Sequence, residues 1–178
     1  MNEQLDLSKL KTGDVVLLYT EAKLFKPSSW VAPLIRKIAK CDYNHAGIII
    51  SNWNKPFLNE AIGEGIIGRP VMYQLNHHKV KILRSKNHSP KSYDEEKDFA
   101  NRANEKLGTK YDFISLLLFL VLYQLTTLWI GRKREKVSKK MYCYEYVAYC
   151  FPKLFLEFWK ILPNDFLTEE FEEIYKTE

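Results

Sequence analysis

The stretch from Phe113 to Ile130 carries no charge at all, and it restricts what this chain can fold into more than any other segment. A basic cluster follows at once: Arg132, Lys133, Arg134, Lys136, Lys139 and Lys140 stand against a single acid, Glu135. Length and flank together resemble a short transmembrane helix with positive charges on its cytoplasmic side. Spanning a bilayer takes about 20 predominantly apolar residues, however, and Ser115, Gln124, Thr126 and Thr127 interrupt this run. A helix buried on most sides of a small domain has the same appearance in sequence. Burial is the preferred reading. Contact with a membrane surface and a true span are the alternatives.

The basic cluster also settles what the net charge means. Its excess accounts for the whole formal +5 of the chain, so the remainder is formally neutral. Nucleic-acid binding needs a distributed basic surface, and none is expected. Arg132 to Lys140 reads as a solvated loop, or as a contact for an anionic partner such as a lipid surface or cell-wall polymer.

With 178 residues, 46% of them hydrophobic, the chain fits one domain over 1–178 with a proper core. Met1 to Leu10 has no apolar core of a secretory signal, which predicts a cytoplasmic or phage- or virion-associated protein. Cys41, Cys143 and Cys150 are too few for a disulfide framework and have no metal-ligand spacing. Reduced thiols, and no metal or cofactor, are expected.

Local patterns outline the elements. Lys11 to Asp14 makes a turn into a buried strand, Val15 to Tyr19. Ser28-Ser29 can cap a helix with Trp30, Val31, Leu34, Ile35 and Ile38 at helical spacing, and Pro33 falls near its first turn. Strands are predicted at His45 to Ser51 and Phe57 to Ile62, joined by a turn at Asn52 to Pro56, and again at Lys79 to Leu83. Gly63, Gly65 and Gly68 punctuate the stretch between. Ser92 to Glu95 matches a capping box, opening a helix with Phe99, Ala100, Ala103 and Leu107 on one face and Gly108 at its end. These elements predict an α+β domain with an antiparallel sheet of about five strands packed against helices.

Two residues suggest chemistry. Cys143 falls where a helix begins after the basic loop, and a thiol there feels the positive end of the helix dipole, which favours thiolate. Backbone N–H groups at a helix start are also free to face an oxyanion. A lone Cys in an aromatic stretch is more often a buried small hydrophobe, so a base is needed. His45, at the start of a strand, is the candidate, and Gly47 beside it lets another chain approach closely. Glu60 follows after a hairpin turn, so adjacent antiparallel strands can set its carboxylate beside the His45 ring. His77, His78 and His88 lie in polar stretches and read as surface residues. Cys150 reads as core and Cys41 as structural.

Five motifs in order carry a family resemblance: Gly13-Asp14-Val15-Val16-Leu17, Asn44-His45-Ala46-Gly47-Ile48, Glu60-Ala61, Gly108-Thr109-Lys110-Tyr111-Asp112 and Tyr142-Cys143-Tyr144-Glu145. The late Leu162 to Leu167 fits the same pattern. Together they resemble the YiiX/YebB-like group of permuted papain-fold cysteine hydrolases, within the NlpC/P60 superfamily and related to lecithin retinol acyltransferase. The resemblance implies Cys143 as nucleophile, His45 as general base and then acid, and Glu60 as the residue that orients it. It implies hydrolysis of an amide or ester through a thioester, with peptidoglycan peptide bonds favoured and acyl-lipid bonds as the alternative. It also favours burial of the apolar helix. One departure stands out: the group's usual Cys-Ser-Glu is here Cys143-Tyr144-Glu145, and a bulky Tyr is expected to narrow the site or to alter its oxyanion pocket. A catalytically inactive binding or structural module of the same fold is the non-enzymatic alternative.

Overall fold

The computed structural model describes residues 5–21, 31–52, 55–117, 139–158 and 161–177. Its centre is an antiparallel sheet of six strands in the order β4-β3-β2-β1-β5-β8. These are β1 (Val15–Tyr19), β2 (His45–Asn52), β3 (Lys55–Ile62), β4 (Gly65–Pro70), β5 (Lys79–Ser85) and β8 (Phe171–Lys176). The strand β6 (Lys110–Tyr111) pairs in parallel with β7 (Lys140–Met141) in a separate small ribbon. Helices α1 (Val31–Ala39), α2 (Val71–His77), α3 (Tyr93–Asn104) and α4 (Cys143–Cys150) complete the α+β architecture.

Val15 to Leu18 of β1 and Ile48 to Ile50 of β2 form unbroken apolar runs because both faces of the sheet are covered there. Val15, Leu17, Ile48 and Ile50 join one core with α4, while Val16, Leu18, Ile49 and Leu58 join a second with Val71 of α2. Helix α4 lies against β2 and β3, and every one of its residues is buried. A helix enclosed on all sides has no polar stripe to show, which is why Tyr142 to Cys150 reads as apolar and aromatic except for Glu145, whose carboxylate turns back to cap the helix start. Phe166 and Phe171 meet edge-on with ring centroids 5.7 Å apart, tying the late segment to the core around α4.

Asp14 anchors the first strand. It is fully buried, and Arg84 of β5 donates to both its oxygens at 2.7 Å. The Gly-Asp at the start of the first motif is thus a structural clamp between the turn and β5.

Several expectations hold and several need correcting. The strand Val15–Tyr19 appears with the expected bounds, and Ser92 caps α3 through the Glu95 N–H. Glu95 does not return the bond to Ser92; its carboxylate accepts from the Lys91 N–H at 2.6 Å. Helix α3 stops at Asn104, so Leu107 falls in the following turn and is exposed rather than part of the buried face. The sheet has six strands rather than about five. Gly65 to Pro70 forms β4 and Val71 to His77 forms α2, two elements hidden behind residues that usually mark loops. The glycines serve close contact here: a Cβ on Gly65, whose φ is +125°, would stand 2.8 Å from the Thr109 carbonyl oxygen.

The apolar run begins as a helix at 113–117, with Leu116 buried and Ile114 and Leu117 exposed. Its remainder, 118–130, lies outside the described residues, as do Arg132 to 138 of the basic cluster, the Ser28-Ser29 cap with Trp30, and 53–54 of the predicted turn. Among the described residues no helix is long and apolar enough to cross a membrane.

Candidate active site

The hairpin of β2 and β3 builds the first half of the site. Its register sets Gly47 directly opposite Glu60, so His45, two residues earlier, projects from the same face as the carboxylate. Gly47 makes the close fit possible. A Cβ there would lie 2.8 Å from Leu58 Cδ1 and 2.9 Å from the Asn59 carbonyl oxygen. The result is a contact of 2.7 Å between His45 Nε2 and Glu60 Oε2. Glu60 is fully buried and the His45 side chain keeps 15% exposure.

Helix α4 supplies the second half. Cys143 is its first residue, and Glu145 reaches back to accept from the Tyr142 N–H at 3.3 Å, capping the turn that presents the thiol. Cys143 is 1% exposed and lies in hydrogen-bonding contact with His45 and with the Tyr111 hydroxyl. Cys143, His45 and Glu60 therefore form a continuous relay.

Electrostatics follow from these contacts. Burial alone would lower the His45 pKa, but Cys143 and Glu60 together outweigh it and push it up to about 10. Burial would raise Glu60, yet His45, Gln74 and Arg69 hold it below the ordinary carboxylate range. Gln74 Nε2 donates to Glu60 Oε1 at 2.7 Å, and Arg69 Nε forms an ion pair with the same oxygen at 2.8 Å without its N–H aligning on it. The Tyr111 hydroxyl is held well above its ordinary value, first by burial and then by Cys143.

Tyr111 is the site residue that the sequence reading left without a role. Its motif was visible, but nothing local says where a short ribbon strand will sit. The structure shows the cause: Thr109 accepts from the Ile66 N–H at 2.8 Å, and Gly108 donates to the Ile66 carbonyl at 2.9 Å. Those two bonds stitch the Gly108 loop to β4 and bring Tyr111 over the sulfur. Gln74 and Arg69 were missed for the same reason as β4 and α2.

A cavity of about 630 Å³ opens beside the relay. Ala32, Ile35, Phe113 and Leu116 form an apolar wall, while His45, Glu60, Arg69, Gln74, His78 and Tyr111 supply the polar side. His78 therefore faces the cavity rather than lying as a plain surface residue, whereas His77 is exposed. Tyr144 does not narrow this space. Its side chain is fully buried, packs near Phe166 and is absent from the cavity wall. Cys150 is core, with its thiol pushed up to about 12 by burial. Among the described residues no group of three His, Cys, Asp or Glu side chains converges to hold a metal ion.

Comparison with known proteins agrees with this fold. The profile of the family described as permuted papain-like amidase enzyme, YaeF/YiiX, C92 family matches residues 9–166. The chain belongs to that C92 family. Membership carries a hydrolase of the amidase kind, with a papain-like fold in permuted order. A search of curated protein sequences finds no match. Among solved structures, the C92 chain is similar to one described as metalloprotein yiiX from Escherichia coli O157:H7. The two share 18% identity over 94% of this chain and 97% of the other, with a TM-score of 0.57, a likeness of fold.

Proposed function

We propose that this C92 protein is a cysteine amidase in which Cys143 attacks the carbonyl carbon of an amide or ester. The observation that carries the reading is the relay itself: the Cys143 thiol meets the His45 imidazole, whose Nε2 lies 2.7 Å from the buried Glu60 carboxylate. A thiol paired with an imidazolium attacks as thiolate. The sulfur bonds to the carbonyl carbon, and the carbonyl electron pair moves to oxygen. Tyr111, which interacts with Cys143, and the backbone N–H groups at the start of α4 would serve as donors to that oxygen. Collapse returns the pair, breaks the bond to the leaving amine or alcohol, and His45 gives that group its proton. Water then attacks the thioester with His45 as base, and the acid product leaves with the thiol restored. Glu60 keeps the ring oriented and its charge compensated throughout.

Peptidoglycan peptide bonds are the substrate the resemblance favoured, and they stay as one arm of the reading. A specific observation supports the acyl-lipid arm. The cavity wall of Ala32, Ile35, Phe113 and Leu116 suits hydrocarbon, and among the described residues the sole carboxylate lining it, Glu60, is already engaged by three side chains. Among these residues a substrate ammonium would find no free acidic partner. An anionic membrane surface contacting Arg132 to Lys140 would serve the same arm. Purified protein should be assayed against peptidoglycan stem peptides and against N-acyl and O-acyl lipids. Release of product that disappears in Cys143→Ala supports the hydrolase, and the substrate cleaved chooses the arm. Turnover that survives Cys143→Ala would reject the reading.

A further inference from the structure

Glu60 has two oxygens, and only Oε2 serves His45. The other, Oε1, is held by Gln74 Nε2 at 2.7 Å and by Arg69 Nε at 2.8 Å. Both partners come from a single junction, where β4 ends at Pro70 and α2 begins at Val71. Gln74 is buried, and the anion decides which end of its amide faces it, because only the NH2 group can point at a carboxylate without repulsion. The amide oxygen is therefore turned away, and it has no hydrogen-bond partner. A buried carbonyl left unpaired weakens a fold, whereas an apolar side chain of similar shape would not. Glutamine is at this position for the donor it gives Glu60, which leaves its own oxygen unpaired.

We propose that Gln74, seconded by Arg69, is a positioning residue that holds the Glu60 carboxylate in its ionised form and aims it at His45. The inference rests on the reading of Cys143, His45 and Glu60 as the reacting unit. The charged and titratable groups around Glu60 are His45 from β2 and Arg69 from β4; Cys143 and Tyr111 meet His45 from its other side, and His78 lines the same cavity. Without the Gln74 donor one of the influences holding Glu60 down is removed, so Glu60 takes up a proton at higher pH.

The test uses the full chain carrying Gln74→Met, with 4-nitrophenyl acetate as ester probe and iodoacetamide as thiol probe. Thermal stability should change little, because the hydrogen bond lost to the buried Glu60 carboxylate and the unpaired amide oxygen removed with it oppose one another. The turnover number should fall about ten- to a hundred-fold, as loss of a hydrogen bond to a charged group implies, with KM little changed. The acid limb of the pH profile should move to higher pH. Gln74→Glu, nearly isosteric, supplies a second reading: its carboxyl can donate to Glu60 only while protonated, so activity should fall as pH rises through its titration. A Gln74→Met protein that loses stability while its acid limb stays in place would overturn the proposal and make Gln74 structural. Alkylation separates the two levels. If His45→Ala leaves the pH dependence of Cys143 alkylation unaltered, the reacting unit itself fails. If His45→Ala alters it and Gln74→Met does not, the positioning role alone fails.

Discussion

His45 Nε2 and Glu60 Oε2 stand 2.7 Å apart, diagonally across the β2–β3 hairpin, with Gly47 as the residue that closes the gap. The glycine has no space for a side chain: an added Cβ would meet Leu58 and the Asn59 backbone at under 3 Å. Gly47→Ala should therefore cost about 1–3 kcal/mol by overpacking. Because the strand that must yield carries Glu60, activity should drop more than stability. Denaturant unfolding and turnover on the same preparation check this, and unchanged stability would contradict the packing described.

His45 should titrate well above its ordinary value of 6.5, at about 10. A value raised by folding means that the bound proton stabilises the native state. That contribution is complete below about pH 6.5 and is lost as pH rises through about 10. In Cys143→Ala the first of the raising partners is gone, and His45 should titrate lower. Histidine-labelled NMR titration reads both values; identical curves for the two proteins would rule out the contact between ring and thiol.

The two buried cysteines of α4 should behave differently. Cys143→Ala should abolish turnover while changing stability by no more than about 1–2 kcal/mol, since only a small group is removed. Cys150→Ala should keep turnover and lose about 1–2 kcal/mol from the core. Inactivation by the second and not the first would move the nucleophile.

Arg84 and Asp14 give a stability prediction remote from the chemistry. Arg84→Met leaves a fully buried carboxylate without its two-pronged partner, and should cost about 3–5 kcal/mol. Adding Asp14→Leu should recover most of that loss, because the uncompensated charge goes with it. A double variant no more stable than Arg84→Met would show that the clamp is not an isolated pair.

These contrasts explain what could be read without coordinates. His45, Cys143 and Glu60 were legible because each stands at an element boundary that leaves a local mark: a strand start, a helix start and a hairpin partner. The strand Val15–Tyr19 was legible because its run of apolar residues is short and bounded by a turn. By contrast, β4 and α2 were concealed by Gly65, Gly68 and Pro70, whose presence reflects close packing and a strand-to-helix junction that no local pattern announces. Gln74 and Arg69 were lost with them. The role of Tyr111 depends on two backbone bonds between the Gly108 loop and β4, a contact across about forty residues of chain. Tyr144 looked like an obstruction because adjacency in sequence says nothing of which way a helical side chain turns.

Alkylation of the three cysteines tests the central claim most directly. Cys41 is the most exposed of them, but burial pushes its thiol up, as it does Cys150; Cys143 is enclosed yet faces the His45 ring. Exposure and electrostatics therefore favour different residues. Iodoacetamide at pH 7, followed by peptide mapping over time, should label Cys143 fastest, and His45→Ala should slow that labelling severalfold without affecting Cys41. Labelling of Cys41 ahead of Cys143, with no response to His45→Ala, would contradict the account.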